Sequence, residues 1–420
     1  MDQQTIQNDW PTWSRGQGSQ LWDQGDSVCL DMLAANRQSI LGHSATALQK
    51  TLLDHRDSLL GTHDSGTLRA DFDASLQPFT SHCVAAILPG ADLAVEWAIA
   101  VTRRRSAGQK FKIITLTGSY HGRTLALRSA SGEPHAQENL GPLVAGFLHQ
   151  PCDDVAKVAT AIDGQTAAIL VQPILTHAGF DLYPDGFLKQ LRRIADQHDL
   201  LFIVDETQLP IGASGQLTCS DAFDLNPDLI VLASGLAGGL PIGAVLSDND
   251  DIIALASDPL LRCEPISTLV MSVAITTLQA IRNQGVLSHV RSQAEFLNQL
   301  IDPIASDFEF VRQFRQCGLM VSLEMELEAL AVQRQLLQAG VLLGAAGPRT
   351  LLLQPALTID QESLEHCAKC LRNVFQAWEH QATTIVGWAD DDSPADSGGT
   401  EPSELPSSRE ADTSDPPRPD

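Results

Sequence analysis

Between Pro89 and Asp248 the chain alternates short apolar runs with longer amphipathic stretches, a pattern that few architectures accommodate. Phe111–Leu116, Ala167–Val171, Leu200–Val204 and Leu229–Leu232 read as strands buried on both faces. Pro89–Arg105 and Asp185–His198 read as helices, the second with Phe187, Leu188, Leu191 and Ile194 on one face. Buried strands alternating with helices build a mostly parallel sheet covered on both sides, so the expected class is α/β. At 420 residues the chain is too long for one ordinary core. Its two ends are expected to join in a smaller domain, with strands within Val311–Glu326 and Arg349–Leu357. The expected organisation is 1–77 and 288–388 for the two parts of that domain, 78–287 for the large domain, and 389–420 as a tail.

Charge narrows the partners. The chain has 27 Lys plus Arg against 52 Asp plus Glu, a formal charge of −25, and such a surface repels phosphate backbones, so no nucleic-acid partner is expected. Ala389–Asp420 holds seven Asp, three Glu and two Arg with six prolines, too little apolar surface to order itself, and is expected to be a disordered acidic tail. The first residues, Met1-Asp2-Gln3-Gln4-Thr5, lack the basic and apolar regions of a signal peptide, and a cytoplasmic location is expected. Leu229–Leu246 is uncharged for eighteen residues, but Gly235, Gly238, Gly239, Pro241 and Gly243 interrupt it, so it reads as a buried strand and loop and no membrane partner is expected. Of eight cysteines only Cys367 and Cys370 are close together; without a second pair, and in a helical stretch Gln361–Trp378, they are expected to be structural, and no metal site is expected.

In an open parallel sheet, ligands bind at the carboxyl ends of the strands. After Val204 comes Asp205-Glu206-Thr207-Gln208, after Leu116 comes Gly118-Ser-Tyr-His-Gly-Arg-Thr124, and the helix at Pro89 opens with Gly90-Ala91-Asp92. An acid, an aromatic face and a Gly-led helix start suit an aromatic, anionic cofactor. Helix N–H groups would cradle a phosphate, Tyr120 would stack on a heterocycle, and Asp205 would pair with a protonated ring nitrogen. Each piece alone serves equally as a cap or as packing, and the residues by themselves lead no further than a cofactor-type cleft.

From about Asp9 to Gln376 the chain resembles the class III aminotransferases, pyridoxal-phosphate enzymes of fold type I. Leu21-Trp-Asp23 through Leu30-Asp31 and Leu41-Gly-His43 resemble the family's N-terminal signature. Gly118-Ser-Tyr-His-Gly-Arg123 resembles its cofactor-stacking loop, and Val204-Asp-Glu-Thr-Gln208 its pyridine-binding strand. Asn226-Pro-Asp-Leu-Ile230 and Gly238-Gly-Leu-Pro-Ile-Gly-Ala244 resemble the surroundings of its catalytic lysine. The resemblance implies a large seven-stranded, mainly parallel sheet domain plus a smaller α/β domain, assembled as a homodimer with shared sites. It assigns Asp205 to the pyridine nitrogen, Gln208 to the neighbourhood of the ring's phenolic oxygen, and Tyr120 with His121 to the stacking loop. Gly90 and Ala91 fall to the phosphate, and Thr268 to the neighbouring subunit's phosphate.

Departures from that pattern cluster at functional positions. The position of the Schiff-base lysine falls on Ser234, and none of the chain's six lysines lies between residues 190 and 368. A serine hydroxyl forms no imine and is a poor base for proton transfer. The family's carboxylate-clamping arginine falls on Leu352, with Arg349 offset by three, and its Glu-Pro-x-x-x-Glu appears as Gln172-Pro-Ile-Leu-Thr-His177. Pro89 stands for the usual serine near the phosphate, and the Gly-Asn-Pro that follows the threonine is absent after Thr268. The leading expectation is a class III aminotransferase-like protein unable to perform Schiff-base transamination but retaining weak, non-covalent pyridoxal phosphate binding. Two alternatives stand beside it: a lysine-independent pyridoxamine-phosphate enzyme, and a working aminotransferase acting on an amino acid or amine.

Overall fold

A computed structural model describes residues 10–56, 66–262 and 266–389. The chain forms one compact unit through Gln376, and a second unit begins at Ala377. The acidic stretch lies outside the described residues, apart from Ala389 at the end of the last helix.

Strands β1 (Trp13–Gln17), β2 (Gln20–Asp23) and β3 (Val28–Asp31) form an antiparallel meander near the start of the chain. Seven strands then form the large sheet: β4 (Cys83–Leu88), β5 (Lys112–Leu116), β6 (Phe147–Gln150), β7 (Thr166–Val171), β8 (Leu201–Asp205), β9 (Leu229–Leu232) and β10 (Gly243–Ser247). Their order is β4-β10-β9-β8-β7-β5-β6, and β10 alone runs against its neighbours. The uncharged window Leu229–Leu246 therefore divides into β9, a glycine-bearing loop and most of β10. Among the described residues no helix is long and apolar enough to cross a membrane.

Alternation along β8 explains why the sheet is covered twice. Leu201 and Ile203 pack with Ala94, Val95 and Ala98 of helix α1 (Ala91–Arg105). Phe202 and Val204 point to the other face and pack with Phe187, Leu188 and Leu191 of helix α2 (Phe187–Gln197). Because both faces are buried, all residues of β7, β8, β9 and β10 are apolar or small except Thr166, Asp205 and Ser247.

Toward the C-terminus, β11 (Val311–Cys317), β12 (Met320–Met325), β14 (Gly344–Ala346) and β15 (Thr350–Leu353) form an antiparallel sheet, while β13 (Val341–Leu342) pairs in parallel with β3. Segments from both ends of the chain thus share one sheet. Cys367 and Cys370 are buried on the last helix, α4 (Gln361–Ala389), which follows α3 (Thr268–Asn283) in our labelling; Cys263 lies outside the described residues.

Phe202 is fully buried at the middle of the sheet. Phe202→Ala is expected to cost about 3–5 kcal/mol, through lost transfer energy and the cavity it leaves. Denaturant midpoints measured on both chains would read this, and a loss under about 1 kcal/mol would place the core elsewhere.

Candidate functional site at the carboxyl edge of the sheet

Parallel strands deliver their carboxyl ends to one edge, and the loops leaving β5, β7, β8 and β9 meet there. Asp205 ends β8 with no exposed surface. Its Oδ1 accepts from the Thr207 backbone N–H at 2.9 Å and from the Thr207 hydroxyl at 2.6 Å. Its Oδ2 lies 2.8 Å from Nδ1 of the equally buried His121, on the loop that follows β5. A carboxylate offers about four lone-pair sites; three are engaged here, which leaves one, on Oδ2. Nε2 of His121 is buried and has no partner.

Tyr120, beside His121, gives its backbone N–H to Oε1 of Gln172 at 2.9 Å, just past the end of β7. One face of its ring is occupied: the imidazole of His177 stacks on it at 3.9 Å between centroids, tilted 22°. Burial, with Arg37 and Arg123 nearby, lowers the His177 pKa to about 4, so it is neutral at neutral pH. Nε2 of Gln172 is buried without a partner.

Ser234 follows β9, nearly buried, and its hydroxyl donates to the Thr207 carbonyl at 2.6 Å. The next residue, Gly235, has φ +83°, and a Cβ there would stand 2.4 Å from Cγ2 of Ile40, so only glycine fits. Gly90 caps α1 with φ 137°, and its own N–H is given to the Leu88 carbonyl at 2.8 Å. The first-turn N–H groups from Ala91 onward have no intrahelical acceptor. Gln208 is half-buried, and its carbonyl accepts from Nη1 of Arg37 at 2.9 Å. Thr268 opens α3. The structure thus brings Tyr120, His121, Asp205, Gln208 and Ser234 into one hydrogen-bonded and stacked neighbourhood.

The six lysines are all described, and they lie elsewhere. Lys50, Lys110, Lys112, Lys157 and Lys189 each pair with an aspartate, at Asp54, Asp199, Asp163, Asp154 and Asp224 respectively. Lys369 is exposed on α4. Arg349 is exposed just before β15, whereas Leu352 lies within that strand, half-buried.

Arg37 was not singled out by sequence reasoning. Ala34, Ala35, Asn36 and Arg37 all have positive φ, a left-handed turn that the sequence Ala-Ala-Asn-Arg does not announce. Asp31 holds the turn: its oxygens accept from the N–H of Leu33 and of Ala35, both at 2.8 Å, and Oδ2 also lies 2.8 Å from Nε2 of His43. The only available signal was charge, since Arg37 is the one Lys or Arg between Arg15 and Lys50.

These features define a fold type I aminotransferase architecture, with the candidate site at the carboxyl edge of its large sheet. The family "Aminotransferase class-III" matches residues 5–375. The chain belongs to the class III aminotransferases. It is 29% identical to the acetylornithine aminotransferase of Caldanaerobacter subterraneus subsp. tengcongensis, over 86% of this chain and 93% of that protein. It is also 29% identical to that of Rhodobacter capsulatus, over 87% and 95%. Among solved structures, the ornithine aminotransferase of Toxoplasma gondii ME49 superposes with a TM-score of 0.82 at 23% identity, covering 90% of this chain and 94% of that one. A second structure of that enzyme has PLP at partial occupancy in its active site. The acetylornithine aminotransferase of Elizabethkingia anophelis superposes with a TM-score of 0.77 at 25% identity, covering 87% and 94%.

Glu206, next to Asp205, serves the scaffold. It accepts from the N–H of Cys219 at 2.6 Å, the N–H of Ser220 at 2.7 Å and the Ser220 hydroxyl at 2.6 Å, capping the helical turn Cys219–Ala222. Burial pushes its pKa from the ordinary 4.5 up to about 7, although the Ser220 and Cys219 donors pull it down. A carboxyl whose folded pKa is raised contributes stability that is complete below its unfolded pKa and lost as pH rises through the folded one. Stability should therefore fall between pH 5 and pH 8, and Glu206→Gln should flatten that slope. Urea midpoints across this range test it; an unchanged slope in Glu206→Gln would assign the dependence to other groups.

Proposed function

We propose that this chain holds pyridoxal phosphate at the carboxyl edge without a covalent bond, and that it does not carry out Schiff-base transamination. The observation that carries this reading is the placement of the lysines: five are paired with aspartates and the sixth is exposed on α4, while Ser234, after β9, spends its hydroxyl on the Thr207 carbonyl. The residues present suit the cofactor. Asp205 keeps one lone pair for a protonated ring nitrogen, the N–H groups from Ala91 onward suit a phosphate, and Tyr120 keeps one ring face. Bound there, the cofactor supplies an electron sink; the chain supplies its orientation. On this reading Ser234 occupies the lysine position, Gln208 lies beside the ring's phenolic oxygen, and His121 fixes Asp205 rather than touching the ring. A homodimer in which Thr268 reaches the neighbouring phosphate belongs to the same reading, and light scattering at twice the chain mass would support it. The acetylornithine aminotransferases among the relatives favour an amino-acid-like ligand beside the cofactor.

Calorimetry with pyridoxal phosphate tests the binding. Reversible binding is expected, and Asp205→Asn should weaken it ten- to a hundredfold, the equivalent of about 1.5–3 kcal/mol for a charge-assisted hydrogen bond. Ser234→Lys should yield a coloured, cofactor-loaded protein. If the unaltered chain does not bind and Ser234→Lys stays colourless, the cleft is closed to the cofactor and the proposal fails.

A further inference from the structure

Beside the Tyr120–His177 stack lies a cavity of about 60 Å³, several times the roughly 10–15 Å³ that one water needs. Leu33, Arg37, His177, Leu352 and Gln354 are among the residues that line it. Arg37 is only 9% exposed, and burial alone lowers its pKa to about 10, so it remains a cation. One of its nitrogens, Nη1, serves the Gln208 carbonyl, whereas Nε is buried without a partner. Gln354, 3% exposed, has its Nε2 buried and unpartnered too. Unmet buried polar groups are rare and costly, and both of these are donors. A cation and an amide with an unpartnered N–H, both lining one small cavity, suit an anion with two acceptor oxygens.

We infer that Arg37 and Gln354 form a carboxylate receptor in this cavity, beside the His177 ring that stacks on Tyr120. The inference deepens the reading above by naming the ligand class, a carboxylate-bearing compound rather than a simple amine. Leu352 lines the same cavity and carries no charge, so the cation comes from the N-terminal segment instead of β15. The scaffold for it is the left-handed turn fixed by Asp31, which carries Arg37 to the cavity against the usual backbone preference. Neutral His177 adds no competing charge beside the receptor.

The test titrates the full chain, without cofactor, with three probes: glutarate, the equally long 1,5-diaminopentane, and inorganic phosphate. Glutarate should bind, the diamine should not, and phosphate should bind more weakly than glutarate. Arg37→Leu should weaken glutarate ten- to a hundredfold and Arg37→Lys should keep part of the affinity, because a lysine retains charge without the planar fork. Since Arg37 also holds the Gln208 carbonyl, Gln354→Leu provides a second variant that leaves this bond alone; it should lower glutarate affinity several-fold with an unchanged melting temperature. Unaltered glutarate affinity in folded Arg37→Leu or in Gln354→Leu overturns the inference, as does no glutarate binding by the natural chain. Phosphate binding tighter than glutarate would assign Arg37 to a phosphate group instead, which also overturns it. Because these titrations omit the cofactor, their outcome is separate from whether pyridoxal phosphate binds.

Discussion

A carboxylate with no access to water survives at the end of a buried strand only if donors surround it, and Asp205 is the point from which the cleft is organised. Its Oδ2 holds His121 and so fixes the loop after β5. Its Oδ1 orders Thr207, whose carbonyl then takes the Ser234 hydroxyl at the end of β9. One residue further, the Gln208 carbonyl receives Arg37 from the N-terminal segment. Loops from three adjacent or nearly adjacent strands and one distant segment are thus tied to four consecutive residues, Asp205 to Gln208. Removing a partner from such a network costs more than one ordinary hydrogen bond, because the remaining groups stay buried.

The cleft has surplus donors. Arg37 Nε, Gln172 Nε2 and Gln354 Nε2 are all buried without acceptors, whereas the carboxylate of Asp205 has three of its acceptor sites filled. Each unmet donor costs about 1–3 kcal/mol, which a ligand rich in acceptor oxygens would recover. On the proposed reading, phosphate and carboxylate groups meet that requirement even in an acidic protein with a formal charge of −25. Local donors override net charge at this range because the surrounding charge is screened by solvent while the cavity is not.

Much of this was legible in the sequence, for identifiable reasons. Strands buried on both faces leave uninterrupted apolar runs, so β5, β7, β8 and β9 stood out within a residue or so of their ends. Strand β4 contains two alanines, β6 is a four-residue edge strand and β10 sits behind a glycine-rich loop, and none has a run strong enough to separate from its surroundings. Asp205 was readable because it ends such a run and Tyr120 because it lies in the loop after one, whereas Ser234 was reached only through the family resemblance, from its place before Gly238-Gly-Leu-Pro. The stacking of His177 on Tyr120 and the inward course of Arg37 were not readable. The first depends on the loop after β7 returning toward that after β5, and the second on four successive positive φ angles, three of them at Ala34, Ala35 and Arg37, which do not favour them.

On the proposed reading, the chain holds the cofactor without a residue that bonds it covalently. Borohydride reduction of the protein in the presence of pyridoxal phosphate, followed by intact-mass and peptide mass spectrometry, tests it most directly. The account predicts an unmodified mass, apart from substoichiometric labelling of exposed lysines such as Lys369. One phosphopyridoxyl group per chain at a single site in the cleft, above all within Leu229–Leu246, would contradict it.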